Sequence, residues 1–452
     1  MADPAKAGPA REDSLASALR HRPFVQFWLG AFLASAGGWF QSLSVPFVLL
    51  QLTGSAFWVG LATAAQFVPI MVLGPWAGVA ADRLDRRRLV MVTQLARSLV
   101  ALAMCVCWWS DRHDPLLLVG LAVLTGCAQG ISMPSWQALV NDYVPREALD
   151  SAASLNTIQF NLARSLGPAV AGLVLFWAGP AVAFFVSFVM VLVVVVVLLV
   201  TEPVNPQPRR ARKDRVADGG FREALRYTWG SPGVMTALTV VFLVGSLGMP
   251  IFQHVITFAE QVFDSGALGV ALLNLGLGAG TLAGVPVLGR MLRIMRRSTV
   301  VAIAMCGYGI TFAVFGLAPS LLTAALATVG VGVFFLLALS VGQNTIQMLV
   351  ADQVRGRVLS INVIVYTGSV SLGAAAQGGI GDRIGLRTTV LGAAALLVLA
   401  AALLAVGSHR LSLRHLNGSR DKSYVSVTPE PASSSASSGA STAHERTRSD
   451  AS

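Results

Sequence analysis

Apolar residues fall in twelve long stretches along the chain, at 24–50, 57–81, 89–109, 115–140, 151–177, 180–200, 234–258, 268–288, 300–317, 321–347, 358–381 and 388–407. Each comes close to the ~20 residues an α-helix needs to cross a bilayer, so the pattern predicts twelve transmembrane helices. The longest connection between them, residues 201–231, opens with Pro203, Pro206 and Pro208 and a basic cluster, as an extended linker does. It closes with Phe221, Leu225 and Trp229 at helical spacing beside Arg222 and Arg226, which predicts a short interfacial helix. The expected organisation is a cytoplasmic tail at 1–22, a six-helix bundle at 23–201, a cytoplasmic linker at 202–232, a second six-helix bundle at 233–410 and a disordered Ser-rich tail at 411–452.

The halves echo each other. Gln137-Ala-Leu-Val-Asn-Asp142-Tyr-Val144 follows span four, and Gln347-Met-Leu-Val-Ala-Asp352-Gln-Val354 follows span ten. The match falls at the same place in a six-plus-six count, which points to a duplicated bundle. Polar content has a finer period. Spans six and twelve are almost wholly Val, Leu, Ala and Phe, the ninth has few strongly polar groups, and of these the third has only Gln94 and Arg97. Span five carries Thr157, Asn161 and Arg164 on one face, and span eleven Asn362, Tyr366, Ser369 and Gln377. Span ten adds Gln343, Asn344 and Gln347, and span seven Gln253 and His254. Polar groups are costly in hydrocarbon, so these should line a central cavity while every third helix faces lipid.

Composition agrees: 54% of residues are hydrophobic and 12% charged, against roughly 25% charged in soluble domains. Arginines gather at the amino terminus (Arg11, Arg20, Arg22) and on even connections: Arg83 and Arg86–Arg88, Arg209–Arg226, Arg290–Arg297, and Arg355 with Arg357. The positive-inside rule therefore places both termini in the cytoplasm of a multi-pass cell-membrane protein. The net charge of +11 is this topogenic excess facing anionic headgroups, not a nucleic-acid surface. Cys105, Cys107, Cys127 and Cys306 all lie within spans and read as packing residues, with no disulfide or metal spacing. Ala34-Ser35-Ala36 imitates a signal-peptidase site, but the apolar run continues to Leu50, so the segment reads as an uncleaved first helix.

The second connection reads Gly74-Pro-Trp-Ala-Gly78-Val-Ala-Ala-Asp82-Arg83-Leu-Asp85-Arg86-Arg87-Arg88. Gly78 permits close helix approach, and Asp82 stands where a facing helix's positive amino-terminal end can meet it. Such a charge-and-dipole latch would hold one face of a transporter shut. The stretch resembles the cytoplasmic signature of the major facilitator superfamily, with Asp85 where the family usually has a second glycine. Gly378-Gly-Ile-Gly381-Asp382-Arg383-Ile-Gly385-Leu-Arg387, after span eleven, looks like the same motif in an inverted repeat. In span five, Arg164-Ser-Leu-Gly167-Pro168-Ala-Val-Ala-Gly172 resembles the Gly-Pro motif of exporters in this superfamily and predicts a pivot at Gly167, Pro168 and Gly172.

With Met133-Pro134-Ser-Trp-Gln137, Asp142-Tyr-Val-Pro145 and Asp352-Gln-Val-Arg355-Gly356-Arg357-Val, the chain resembles the enterobactin-exporter-like and multidrug-efflux branch from about Arg22 to Arg410. That resemblance implies an all-α major facilitator fold of two six-helix bundles, alternating access, and outward export coupled to protons. One departure is notable: Gly126 stands where proton-coupled drug exporters often carry an arginine in span four.

The expected gating set is Gly78, Asp82, Arg83, Arg86, Arg87, Gly381, Asp382 and Arg383. The expected cavity set is Asn161, Arg164, His254, Gln343, Asn344, Asn362 and Tyr366. Arg97 and Arg164 are the strongly basic residues well inside spans; they read either as substrate ligands or as partners of Asp82 or Asp142. No acid lies deep in any span. The chain has three lysines, none in a phosphate-binding loop, and no cluster of His, Asp, Glu or Cys at one depth, which argues against an ATPase, an enzyme, a cofactor or a metal site. The expected partners are a small-molecule substrate, protons and lipid, with the protein a monomer. An importer of the same fold, or a non-transporting sensor, are the alternatives. Amides, hydroxyls and aromatics in the cavity suit an amphipathic organic molecule such as an antibiotic or siderophore.

Overall fold

The computed structural model describes residues 16–204, 220–351, 354–407 and 411–417; within the second helix the side chains at 75, 78, 79 and 81–83 lie outside that description. Eleven continuous helices among the described residues are long and apolar enough to cross a bilayer. One of them, Leu149–Val200, contains two spans. Gly179 breaks it at φ 77° and ψ 177°, backbone that a side chain would strain, and Pro180 follows with its φ already suited to starting a helix.

The twelve spans are α1 (Arg22–Thr53), α2 (Ala56–Arg83), α3 (Arg86–Trp109), α4 (Pro115–Leu139), α5 (149–178) and α6 (180–200). The second set is α7 (Pro232–Val262), α8 (Gly266–Ile294), α9 (Arg297–Leu317), α10 (Leu321–Leu349), α11 (Arg355–Ile384) and α12 (Leu386–Val406).

Several helices outrun their apolar stretches at the arginine-rich ends. The hydropathy of α8 stops at Leu288, but its helix runs on to Ile294 through Arg290 and Arg293. Arginine is a good helix former, and its long stem reaches headgroups from inside a helix. Local chemistry sets the starts. Asp85 caps α3 by accepting from the Arg88 amide at 2.9 Å, so the family's missing glycine has become an N-cap. Asp114 caps α4, and Ser320 with Thr323 forms a capping box on α10.

The predicted interfacial helix is present as Gly220–Gly230. Tyr227 on its buried face donates from its hydroxyl to the Leu349 carbonyl at 3.4 Å, and Glu223 pairs with Arg357 at 2.8 Å. This ties the helix to the α10–α11 connection. Residues 411–417 depart from the expected disordered tail. They form a 3-10 turn whose Leu413 and Leu416 are buried, and the Asn417 side chain caps Ser298 at the start of α9. Two leucines with a surface to cover outweigh the polar composition that follows them.

The arginine-rich connections share one end of the molecule, called here the basic end. Trp109 and Trp177 stand 81% exposed near the opposite end, and Trp76 and Trp229 are exposed near the basic end, the two levels at which a membrane's aromatic belts sit. Helices α3, α9 and α12 pack within their own bundles, while α2 with α11 and α5 with α8 form the seam between bundles.

Along that seam α5 and α8 pack in register and then part. A Cβ on Gly172 would fall 2.8 Å from the Ala271 Cα, and one on Gly278 would run into the Ser165 carbonyl. Seven residues further toward the basic end the same register pairs Ile158 with Val285, and these are 47% and 50% exposed. The seam is closed at one end and open at the other.

Candidate functional site

Arg164 stands where the seam opens, one residue before Ser165. On the same face of α5, Asn161 is half-buried and donates to the Thr157 carbonyl at 3.0 Å, and Thr157 is exposed. The Arg164 guanidinium leaves its own bundle: its Cζ lies 4.7 Å from the centroid of the Phe335 ring on α10. It also lies within electrostatic reach of Tyr308 on α9 and Tyr366 on α11. It makes no hydrogen bond or ion pair to any described residue, and its Nη2 is buried. Stacking on an aromatic face satisfies the charge in part but leaves the in-plane N–H groups unmet.

An aromatic layer extends from the ring that this cation covers. Trp39 of α1 meets Phe252 of α7 at 5.8 Å, Phe252 meets Phe335 at 6.1 Å, and Tyr308 meets Phe335 at 5.9 Å. Gly167, in the predicted pivot, makes room for it: a Cβ there would fall 2.8 Å from the Trp39 Cβ. Tyr308 is fully buried and donates to the Gly248 carbonyl at 2.7 Å, at the end of a π-helical turn in α7. No reading of the sequence singled out Trp39, Phe252, Tyr308 or Phe335. Aromatic residues inside spans are ordinary packing, and only the arginine's position makes these unusual.

The other expected cavity residues divide. Asn362 and Tyr366 lie one turn apart on α11, the asparagine buried with its Oδ1 unpartnered. Gln343 is half-buried on α10. Asn344 instead lines a separate pocket of about 310 Å3 near the basic end, with Leu292, Arg297, Thr345, Gln347 and Met348. His254 is buried between the Phe258 and Phe312 rings and bonded through Nε2 to the Gln377 Oε1 at 2.8 Å. The Gln377 amide donates to the carbonyls of Ser246 and Leu247, freed by the π turn, so its oxygen accepts and the histidine carries its proton on Nε2. Arg97 is buried too. It donates to the Gln94 Oε1 at 2.9 Å and lies against Gly38 of α1.

At the closed end, the Asp382 carboxylate accepts from the Ser55 hydroxyl, from the Ala56 amide at 2.7 Å and from the Phe57 amide at 3.0 Å. These are the first amides of α2, so an acid at the end of α11 caps a helix in the other bundle. Close beside it, Gln261 of α7 donates to the Gly54 carbonyl at 2.7 Å. Gly381 is buried under Leu386, and Arg383 is exposed.

The related motif after α2 is partly visible. Gly78, Asp82 and Arg83 fall outside the described side chains; Arg86 is half-buried, and Arg87 donates to the Leu198 carbonyl at the end of α6. Arg387 does the same for α9, reaching the carbonyls of Gly316 and Ala318 at 3.2 and 3.0 Å. The two motifs thus hold equivalent positions in inverted halves.

A family model described as "Transmembrane secretion effector" matches residues 13–435. The chain belongs to this family of major facilitator superfamily transporters. It is 26% identical to the multidrug efflux pump Tap of Mycolicibacterium fortuitum over 82% of this chain and 91% of that protein. It is 30% identical to the staphyloferrin A transporter of Staphylococcus aureus over 33% of this chain, spanning 38% of that relative's length. Among solved structures it superposes on a D-xylose-proton symporter with a TM-score of 0.69 and 14% identity, covering 86% of this chain and 98% of that one. The nucleoside transporter NupG gives a TM-score of 0.68 at 14% identity, over 86% of this chain and 100% of that one. These superpositions establish the fold of this facilitator and leave its chemistry to its own residues.

Proposed function

We propose that this facilitator exports a small amphipathic organic molecule across the cell membrane by alternating access, driven by the proton gradient. The arginine-rich end then faces the cytoplasm. The parting of α5 from α8 becomes the inward-open path, with Arg164 at its apex and the aromatic layer beyond it as the barrier to the outside. Export, rather than import, is the direction that the names of the Tap and staphyloferrin A relatives support.

The observation that carries the reading is Arg164 itself. A guanidinium in mid-membrane costs on the order of 3 kcal/mol by insertion scales. This one stands without a hydrogen-bonding partner among the described residues, at the one depth where the bundles come apart. A structural arginine would be paired; a transport site keeps its donors free for cargo. Asp382 serves as the outer latch in the state with the outer end closed. Asp82, its counterpart in the repeat, serves as the inner latch on the amino-terminal end of α11 when the molecule turns outward. Gly167, Pro168 and Gly172 let α5 rock against α8.

Inside-out vesicles with an imposed pH gradient test the reading. The disrupted strain's most hypersensitive compound should accumulate with the wild-type protein and should stop accumulating when the gradient is collapsed. Uptake that continues unchanged without the gradient refutes proton coupling.

A further inference from the structure

Resting on the reading of Arg164 as part of the transport site, we infer that the cargo is an organic anion: a carboxylate or similar planar acid group carried on an aromatic or apolar body. The argument begins with charge. The spans hold two arginines in their interiors, Arg97 and Arg164, and not one interior Asp or Glu. The acids stand at span ends, as Asp142 and Asp382 do, or near the outer end of α7, as Glu260 and Asp264 do. Neither interior arginine is ion-paired to a described residue. Arg97 is turned under α1 onto Gln94, whereas Arg164 reaches across the seam with its N–H groups unmet.

A cationic cargo entering this site would meet a fixed positive charge and no acid to receive it. An anionic cargo would supply the missing counter-charge, and burying the pair away from water strengthens it. The shape of the site narrows the class. The guanidinium lies over the Phe335 ring at 4.7 Å, and its planar donor fork matches a carboxylate with two parallel hydrogen bonds. Tyr366, whose hydroxyl bonds to no described residue, stands within electrostatic reach on the facing bundle and can donate to the same acid group. Trp39 and Phe252, both partly exposed beside the buried Phe335, offer ring faces to the rest of the molecule. A bare inorganic anion would leave that aromatic surface uncovered.

The test uses full-length protein in nanodiscs of zwitterionic lipid. Binding of three matched probes is read by energy transfer from tryptophan, with empty discs subtracted: pyrene-1-carboxylate, pyrene-1-carboxamide and pyrenylmethylammonium. The wild type should bind the carboxylate about tenfold more tightly than the amide, as one charge-assisted bidentate pair implies, and the ammonium most weakly. Arg164→Gln should remove the carboxylate's advantage over the amide, bringing the two affinities within about twofold of each other. Should that variant fail to fold, Tyr366→Phe should weaken the carboxylate alone. Equal affinity for the three probes, a preference for the ammonium, or no binding of the carboxylate overturns the inference. Complete displacement of the carboxylate by millimolar chloride or phosphate also overturns it, in favour of an inorganic-anion site. A carboxylate that binds as described but is not carried into inside-out vesicles leaves the anion site standing and refutes the exporter reading instead.

Discussion

Asp382→Asn should release the outer end of the transporter by a predictable amount. In the closed state the carboxylate accepts three hydrogen bonds from the start of α2, two of them from backbone amides with no other partner in the helix. Asparagine keeps one acceptor oxygen at nearly the same volume, but it loses the charge and turns an N–H toward a donor. Losing a cap of this kind costs about 0.5–2 kcal/mol, and losing an anion at a helix amino terminus costs about 0.3–1 kcal/mol more. Asp382 is solvent-exposed, so the low end of each range applies, and the total is about 0.8 kcal/mol, or about fourfold in the ratio of outer-closed to outer-open molecules. A population nine-tenths closed would then become about seven-tenths closed. Spin labels at Leu116 and Leu322, exposed positions near the outer ends of opposite bundles, report this once the four native cysteines are replaced. Double electron–electron resonance should show a second, longer distance growing in Asp382→Asn and dominating in Asp382→Ala. Distance distributions identical to wild type in both variants would refute the latch and leave Asp382 a helix cap with no share in gating.

Gly172→Leu places a branched side chain where even a Cβ would sit 2.8 Å from the Ala271 Cα. Overpacking of this kind costs about 1–3 kcal/mol, so transport should fall at least about tenfold at normal protein level, with outer-end labelling increased. Asp82→Asn should insert and express normally but largely lose transport, and near-normal vesicle flux would show the residue to be only topogenic. A cytoplasmic reporter fused after Arg215 should be active, and a cysteine within 263–266 should react with an impermeant maleimide from outside; the opposite pattern inverts the proposed orientation.

Span positions were legible because hydrocarbon imposes a single requirement, about twenty apolar residues in a helix. Even the break at Gly179-Pro180 could be read, since glycine followed by proline is how a chain turns between two helices. Helix ends were less legible, as at α8, because arginine ends a hydropathic stretch without ending a helix. Arg164 was visible as a charge out of place, and Asn362 and Tyr366 as a polar stripe. Phe335 and Trp39 were not visible, because a ring in a span looks the same whether it packs or receives a cation. His254 shows the reverse. It was expected among the cavity residues, yet the fold holds it by Gln377 and two rings through a π turn that no local pattern in the sequence announces.

The two signature motifs gain meaning when taken as a pair. Arg87 and Arg387 cap the carboxyl ends of α6 and α9, two helices in equivalent places of inverted repeats, so an arginine plays the same part at each motif even though one turn uses Asp85 and the other Gly385. Asp382 meets the first amides of α2. On the proposed reading Asp82, at the end of α2, is the matching acid for the first amides of α11. On that reading one helix pair carries a latch at each end, and rocking the bundles about the α5–α8 contact would close one latch as it opens the other. Such a device needs no acid inside the membrane to switch. The interior is left free to carry what the site needs for cargo, and on the proposed reading that is Arg164, which has no hydrogen-bonding partner among the described residues.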